Sequence, residues 1–283
     1  MSDLHIFCET GAIGDTVLNL CRSYAGMKAF GHDKTVVHTS KTFRFSDPPM
    51  EIPNSPDVLE IYRNCHFVKD IVEEVDYANP ETMRFSQKYK VPILQPMYCS
   101  TDHDVRDWID LKKYLPETND NHEKIAVFQP VSLKHKPKKY LDWYISVWDR
   151  CINLLHEKNY HIYMIGAPDD PYELTLKKEN LNKVISKIGQ WSILQALAFL
   201  LYKSDLVVSC DSWAGVWGAA AKIPSVNAWG YRYEMDIDLW VMRFLGNADY
   251  YKYYWSSQKD YCDATLAAHL SNILRTRKMS QNG

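Results

Sequence analysis

The stretch DLVVSCDSWAGVWGAAAKIPSVNAWG, residues 205–230, decides the fold of this chain. Its apolar run 206–208 is short and has polar flanks, which is typical of a buried strand. Small residues dominate 214–221 and predict a helix that can pack close to the sheet and that Pro224 ends. Residues 225–229 then return to an extended pattern. The stretch therefore predicts a strand, an acidic turn, a helix of small residues and a second strand.

Asp211 and Ser212 stand at the turn where the first of these strands ends. In an open parallel sheet, ligands bind beyond the carboxyl ends of the strands. The N-terminal amides of the following helix would face an anion bound there, and the small side chain of Ala214 leaves room for it. The alternative is that Asp211 and Ser212 only cap the helix.

Length and composition indicate a soluble protein with two domains. The 283 residues are enough for two hydrophobic cores, and a net charge of −2 gives no general attraction to nucleic acid or anionic membranes. The apolar runs are too short to span a bilayer, and the N-terminus lacks a targeting pattern. We therefore expect a cytoplasmic protein without an integral membrane segment. The seven scattered cysteines lack metal-ligand spacing and predict reduced core residues.

The first thirty residues contain a similar strand–turn–helix pattern. The predicted strand 5–8 leads into a turn in which Gly11 and Gly14 let the backbone bend tightly. Asp15 and Thr16 then begin the next helix, which Gly31 is predicted to end. A glycine turn also suggests a nicotinamide cofactor, but the G-x-G-x-x-G order is absent. An oxidoreductase is therefore the weaker interpretation.

The segment that follows is less regular. Four prolines predict a loop over 46–56, and the residue pattern predicts a helix at 56–63 and a strand at 66–72. The acidic cluster at 102–107 could suggest a metal, but no second ligand cluster matches it, so a solvated helix start is favoured. Turn-forming residues at 115–124 predict a linker and a domain boundary near 118–122.

The second half restarts the alternation of strands and helices, which indicates a parallel sheet with helices on both faces. A capping box is predicted at 192–195. The main predicted elements are strands at 125–128 and 160–165 and helices at 140–157, 196–202 and 263–275.

A basic loop follows the first strand of this half. Its lysines could neutralise a diphosphate, although a solvated surface loop is the alternative for any one of them. The four lysines are Lys134, Lys136, Lys138 and Lys139.

The order of these signals resembles glycosyltransferase family 9, the heptosyltransferase group, which has the two-domain GT-B fold. The family's G-D pair is similar to GAIGDT at 11–16, and its Ser/Thr-Lys loop before a Trp-containing helix is similar to 127–144. The family also has a strand that ends in glycine, and YMIGAPDD at 163–170 is similar to it. The family's G-x-x-S-L-x-E segment resembles GQWSILQ at 189–195, and its D-[ST] block with A-A-A before Pro resembles 211–224.

This resemblance implies an α/β fold of the GT-B type, with two Rossmann-like domains whose parallel sheets face a central cleft. Residues 1–120 would be the N-terminal acceptor-binding domain, and 121–262 would be the C-terminal nucleotide-sugar-binding domain. Residues 263–283 would form a helix that packs back on the N-terminal domain.

The resemblance also implies the reaction. A sugar would move from a nucleotide sugar to an acceptor hydroxyl, with inversion and without a metal or other cofactor, and Asp15 would be the general base. Gly11, Gly14 and Thr16 would form the acceptor-side loop. The implied donor-binding residues are Ser132, Lys134, Lys136, Lys138, Gly166, Asp211, Ser212 and Ala214.

The acceptor stays open between a saccharide, a lipid-linked saccharide and a modified base in phage-type DNA. Trp213 stands where the family has Gly, and Val216 stands where it has His. The missing histidine makes a non-catalytic nucleotide-sugar-binding protein a further alternative.

Overall fold

The computed structural model describes residues 3–8, 13–39, 42–46, 49–53, 55–73, 104–118, 124–130, 141–168, 176–210, 212–228, 251–254, 267–268 and 270–275. Contacts between Cα atoms divide the chain into two compact units. Among the described residues, the first unit extends to Lys113 and the second begins at Tyr114. The roles predicted for the two domains stay predictions.

The first unit is built on a three-stranded parallel sheet of order β1-β2-β5. Its first helix ends as predicted, because Gly31 adopts a φ of 69° and the His32 amide donates to the Met27 carbonyl at 2.8 Å. The elements in chain order are β1 (Leu4–Cys8), α1 (Ile13–Ala29), β2 (Thr35–Thr39), β3 (Thr42–Ser46), β4 (Pro49–Pro53), α2 (Pro56–Arg63) and β5 (Val68–Glu73).

The loop predicted over 46–56 is wrong for much of its length. β3 and β4 form an antiparallel two-stranded sheet, in which Thr42 lies opposite Pro53 and Ser46 lies opposite Pro49. Both prolines are at the ends of β4. A strand end in a two-stranded sheet tolerates a missing amide hydrogen, because its outer edge makes no ladder bond. The helix predicted at 56–63 is confirmed as α2.

The second unit contains a six-stranded sheet whose neighbouring strands are all parallel. The strands lie in the order β11-β10-β9-β6-β7-β8. This is the strand order of a doubly wound nucleotide-binding sheet. The elements are β6 (Ile125–Gln129), α3 (Leu141–Glu157), β7 (His161–Met164), α4 (Lys178–Leu181), β8 (Val184–Ser186), α5 (Ile193–Lys203), β9 (Leu206–Cys210), α6 (Trp213–Ala220), β10 (Ser225–Ala228) and β11 (Tyr251–Tyr254).

One face of this sheet carries the main hydrophobic cluster. Phe128, Val208 and Val226 contribute to it from three adjacent strands, and Leu270 and Leu274 of the last helix are buried in the same cluster. These two leucines pack on the second unit. Packing of the last helix on the first half stays a prediction.

Candidate functional site

The sheet of the second unit has its topological switch point between β6 and β9. The chain runs outward from β6 to β7 and β8 and then returns to β9 on the other side of β6. Doubly wound sheets bind ligands at this point, beyond the carboxyl ends of the strands. β6 continues into the predicted lysine loop, and β9 continues into Asp211 and Ser212. The two adjacent strands of the switch point therefore lead into the two segments that were predicted to bind a donor.

At the start of α6, the side chain of Ser212 does not cap the helix. Ser212 is the N-cap residue, with φ −157° and ψ 172°, but its side chain makes no capping hydrogen bond. At the start of α5, by contrast, the Gln195 amide donates to Ser192 Oγ at 3.2 Å and the Ser192 amide donates to Gln195 Oε1 at 2.9 Å. The predicted capping box is thus confirmed at α5. Ser212 therefore does not supply the cap of the alternative interpretation, and Asp211 lies outside the described residues.

α6 lies close to the sheet because glycines face the strands. A Cβ atom at Gly215 would overlap the side-chain amide of Asn227. A Cβ at Gly218 would lie 2.5 Å from Ser225 Oγ and 2.9 Å from Val207 Cγ2. Larger residues would force the helix away from β9 and β10. The small residues of this helix therefore serve close packing, as the sequence indicated.

Three buried polar side chains form a row beneath the start of α6. Gln129, Ser209 and Asn227 lie in register on β6, β9 and β10 and are 2%, 0% and 0% exposed. The Ser209 hydroxyl donates to the Cys210 carbonyl oxygen at 2.8 Å and also contacts Asn227 Oδ1. Gln129 Oε1 and Asn227 Nδ2 have no partner among the described residues. Side chains of this polarity are seldom fully buried in a protein core.

α3 anchors the first residue of the basic loop. Trp148 is fully buried, and its Nε1–H donates to the carbonyl oxygen of Pro130 at 2.9 Å. Its ring packs edge-on against Phe128, with 5.3 Å between the ring centroids. Pro130 directly follows β6, so this hydrogen bond fixes the point at which the loop leaves the sheet. The sequence predicted the helix that carries Trp148 but not this hydrogen bond.

The loops after β7 and β8 contact each other at the same edge of the sheet. Gly166 follows β7, as predicted, and is half-buried. Two residues further on, Pro168 lies 3.6 Å from the Cβ position of Gly189, which has a φ of 68°. Trp191, in the same loop as Gly189, stacks on Tyr163, with 5.9 Å between the ring centroids. Lys187 Nζ lies 5.5 Å from the centroid of the Trp191 ring.

In the first unit, α1 begins at Ile13. Gly14, Asp15 and Thr16 therefore lie inside its first turns and not in a loop, and Thr16 is fully buried. A carboxylate in the first turn of a helix interacts favourably with the free amides there. Gly11 lies outside the described residues.

Several predicted donor-binding residues also lie outside the described residues, and their contacts stay predictions. They are Ser132, Lys134, Lys136, Lys138 and Asp211. Of the predicted donor residues that the structure describes, Ser212 and Ala214 lie at the start of α6, where Ala214 is fully buried.

A cavity of about 220 Å³ lies in the first unit, away from these strand ends. It adjoins the segment that leads into the amino end of β5, whereas ligands of parallel sheets bind at the carboxyl ends. We therefore do not assign it to the reaction. Its lining residues are Arg63, Asn64, Cys65, His66, Asp110 and Lys113.

Comparison with known families identifies the chain. Residues 95–241, more than half of the sequence, match the model of glycosyltransferase family 9 (heptosyltransferase). The chain belongs to this family. A comparison with curated proteins gave no match.

Solved structures of this family share the fold of the family 9 enzyme described here. E. coli ADP-heptose lps heptosyltransferase II matches with a TM-score of 0.57 at 11% identity, over 98% of this chain and 100% of that one. The family 9 glycosyl transferase from Veillonella parvula DSM 2008 matches with a TM-score of 0.52 at 11% identity, over 91% and 86%. E. coli heptosyltransferase WaaC with ADP-2-deoxy-2-fluoro heptose matches with a TM-score of 0.52 at 11% identity, over 100% of both chains.

Family and fold together confirm the predicted α/β fold of the GT-B type and make this chain a glycosyltransferase. The non-catalytic and oxidoreductase alternatives are set aside on the same grounds. Trp213 and Val216, which depart from the family pattern, both lie in α6 and are half-buried.

Among the residues that the structure describes, no helix has the length and apolar character needed to cross a membrane. Within the same residues, no group of three or more His, Cys, Asp or Glu side chains is arranged to hold a metal ion. A cytoplasmic location stays a prediction.

Proposed function

We propose that this family 9 enzyme transfers a sugar from a nucleoside-diphosphate sugar to an acceptor hydroxyl, and that the donor diphosphate binds at the switch point of the second unit. The observation that carries the proposal is the start of α6. This helix begins beside the switch point, its N-cap residue Ser212 makes no side-chain capping bond, and its glycines let its backbone lie against the strands. Helix N-termini of this kind bind phosphate through free backbone amides.

The reaction is a single displacement. The oxygen of the acceptor hydroxyl attacks the anomeric carbon while Asp15 takes its proton. The bond between the anomeric carbon and the diphosphate oxygen breaks, and its electron pair leaves with the nucleoside diphosphate. One displacement inverts the configuration at the anomeric carbon.

Charge on the departing diphosphate has two sources of stabilisation in this proposal. The amides at the start of α6 supply fixed dipoles, and the lysines of the loop after β6 supply positive charge. Trp148 supports the second source, because its bond to Pro130 fixes the start of that loop. The proposed reaction requires no metal and no other cofactor.

ADP-heptose is the first donor to test, because two of the similar structures are named for ADP-heptose or an analogue of it. For the acceptor, we favour a saccharide or a lipid-linked saccharide, since the similar E. coli enzyme is named an lps heptosyltransferase. The comparisons offer no support for a DNA base.

A thermal-shift screen of nucleoside diphosphates and nucleotide sugars tests the donor site. A ligand that binds only the folded state raises the melting temperature. We expect at least one nucleoside diphosphate and its sugar conjugate to do so, and the conjugate to support transfer in an acceptor screen. If neither binding nor transfer is seen with any nucleotide sugar, the proposal is wrong.

Metal independence is tested by transfer in excess EDTA. We expect the rate to stay unchanged, because the lysines and helix amides meet the diphosphate charge. Loss of transfer that magnesium or manganese restores would contradict this. Attention would then turn to the aspartate pairs with D-x-D spacing, 102–104 and 236–238.

A further inference from the structure

The buried row of Gln129, Ser209 and Asn227 places polar side chains inside a sheet whose opposite face is apolar. The same strands contribute Phe128 and Val226 to the hydrophobic cluster on the opposite face. Burying a polar side chain costs free energy unless the side chain is hydrogen-bonded. A polar row next to the switch point is therefore a candidate for a role beyond packing.

The contacts of Ser209 and Asn227 show what the row holds. The Ser209 hydroxyl donates a hydrogen bond to the carbonyl oxygen of Cys210, the last residue of β9 before 211–212. It also contacts the amide of Asn227, and that amide occupies the space where a Cβ atom of Gly215 would lie. One pair of side chains thus fixes the backbone where it enters the turn and again where it leaves the turn.

We propose that Asn227 is a positioning residue for the donor diphosphate. Its amide sets how closely the first turn of α6 approaches β9 and β10, and thereby where the amides of 212–214 stand at the switch point. This inference rests on the proposed function. Asn227 acts through α6 and touches no reacting atom, and Gly215 is the position in α6 that makes room for it.

The first experiment measures α6 directly, without any ligand. Hydrogen exchange is followed in the peptide that covers 206–222, in the intact wild-type chain and in Asn227→Ala. We expect exchange in α6 to become about tenfold faster in the variant, because the helix loses its contact with the row. Asn180→Ala is the matched control. Asn180 is also buried in the second unit, at 1% exposure, but it bonds Asp149 at 2.6 Å and lies in α4.

The second experiment measures binding of ADP and of inorganic pyrophosphate by calorimetry. We expect Asn227→Ala to lower both affinities about tenfold and to raise the KM for the donor, while the KM for the acceptor stays unchanged. Asn180→Ala should bind both probes within twofold of wild type, at a temperature where all variants are folded. A general loss of stability cannot produce this selective change.

A double variant distinguishes the space that the Asn227 side chain fills from the contacts that its amide makes. Gly215→Ala alone forces the helix away from Asn227, and adding Asn227→Ala removes that overlap. We expect the double variant to regain most of the melting temperature and little of the ADP affinity, because no amide remains to hold the turn. Recovery of full ADP affinity would show that Asn227 only fills space, and would overturn the proposal.

Wild-type exchange and wild-type ADP affinity in Asn227→Ala would also overturn it, as would an equal effect in Asn180→Ala. If the wild-type protein binds neither pyrophosphate nor any nucleoside diphosphate of the thermal-shift screen, the proposed function fails instead. The exchange measurement then still decides whether Asn227 positions α6.

Discussion

Each unit has a helix that follows a parallel strand and starts beside an aspartate, but the two helices differ in length and composition. α1 has 17 residues and buries large side chains such as Val17, Leu18 and Leu20. α6 has 8 residues and turns glycines toward its strands. Asp15 lies inside the first turn of α1, whereas Asp211 precedes α6.

The difference suggests two ways of serving one reaction. α1 buries large side chains against its sheet, and the functional group proposed there is the carboxylate of Asp15. Glycines bring the backbone of α6 against β9 and β10, so its own amides can serve as ligands. Activity should therefore depend on the carboxylate of Asp15 in α1 and on the small side-chain volume at the start of α6.

Asp15→Asn should have the largest effect. If Asp15 is the general base, kcat falls by about 10²–10⁴-fold, because an amide cannot accept the proton. Donor affinity should barely change, because the donor is assigned to the second unit. Stability should fall by only about 0.3–1 kcal/mol, the value of a carboxylate near the N-terminus of a helix.

Asp57→Asn is the control for Asp15→Asn, because Asp57 lies in the first turn of α2 in the same unit. It should change melting slightly and leave kcat unchanged. An Asp15→Asn enzyme that melts normally and transfers sugar within a few-fold of wild type would assign the base to another residue. α1 and α6 would then no longer differ in the way proposed.

Ala214→Phe tests the role of volume at the start of α6. Ala214 is fully buried, so the added ring crowds the turn where the diphosphate is proposed to bind. Overpacking costs about 1–3 kcal/mol, and we expect nucleotide affinity to fall about tenfold or more. Ala214→Val is the milder variant if Ala214→Phe does not fold.

Ala198→Phe makes the same change at a fully buried position of α5 and should lower stability without changing nucleotide affinity. Nucleotide titrations of the folded variants give the comparison. Unchanged affinity in both Ala214 variants would place the donor elsewhere.

Gly218→Ala tests the close packing itself. The new Cβ would lie 2.5 Å from Ser225 Oγ and 2.9 Å from Val207 Cγ2, so the helix has to shift. We expect a loss of about 1–3 kcal/mol in the free energy of unfolding, measured by denaturant titration. Adding Ser225→Ala removes the closest contact and should recover part of that loss. Wild-type stability in Gly218→Ala would show that α6 is not held closely.

Much of the fold could be predicted from the sequence, because helices α2 and α3 and strands β6, β7 and β9 follow clear patterns. α4, β8 and β11, with 4, 3 and 4 residues, were missed. β7 is as short, but it lies in a longer, mostly apolar run at 160–165, which the other three lack. The β3–β4 hairpin was missed because prolines favour a loop unless the strand ends at them.

The site divides in the same way. Glycine and alanine in 213–220 predicted a helix that packs closely, because that inference needs only local sequence. The bond from Trp148 to Pro130 and the contact of Asn227 with Ser209 each join residues 18 positions apart. No local pattern encodes such pairs. They depend on the strand order, which the sequence alone did not specify.

The smallest effect is expected when the serines at the starts of α5 and α6 are compared. Ser192→Ala removes a complete capping box and should cost about 1 kcal/mol. Ser212→Ala removes a side chain that makes no capping bond, so its cost should stay within about 0.5 kcal/mol. Nucleotide affinity should show the opposite order, because only Ser212 lies at the switch point. Denaturant titrations give the free energy of unfolding of each variant, and nucleotide titrations give its nucleotide affinity. Equal losses of stability would mean that the Ser212 hydroxyl serves the helix, and the start of α6 would then be closed to a ligand in the same way as that of α5.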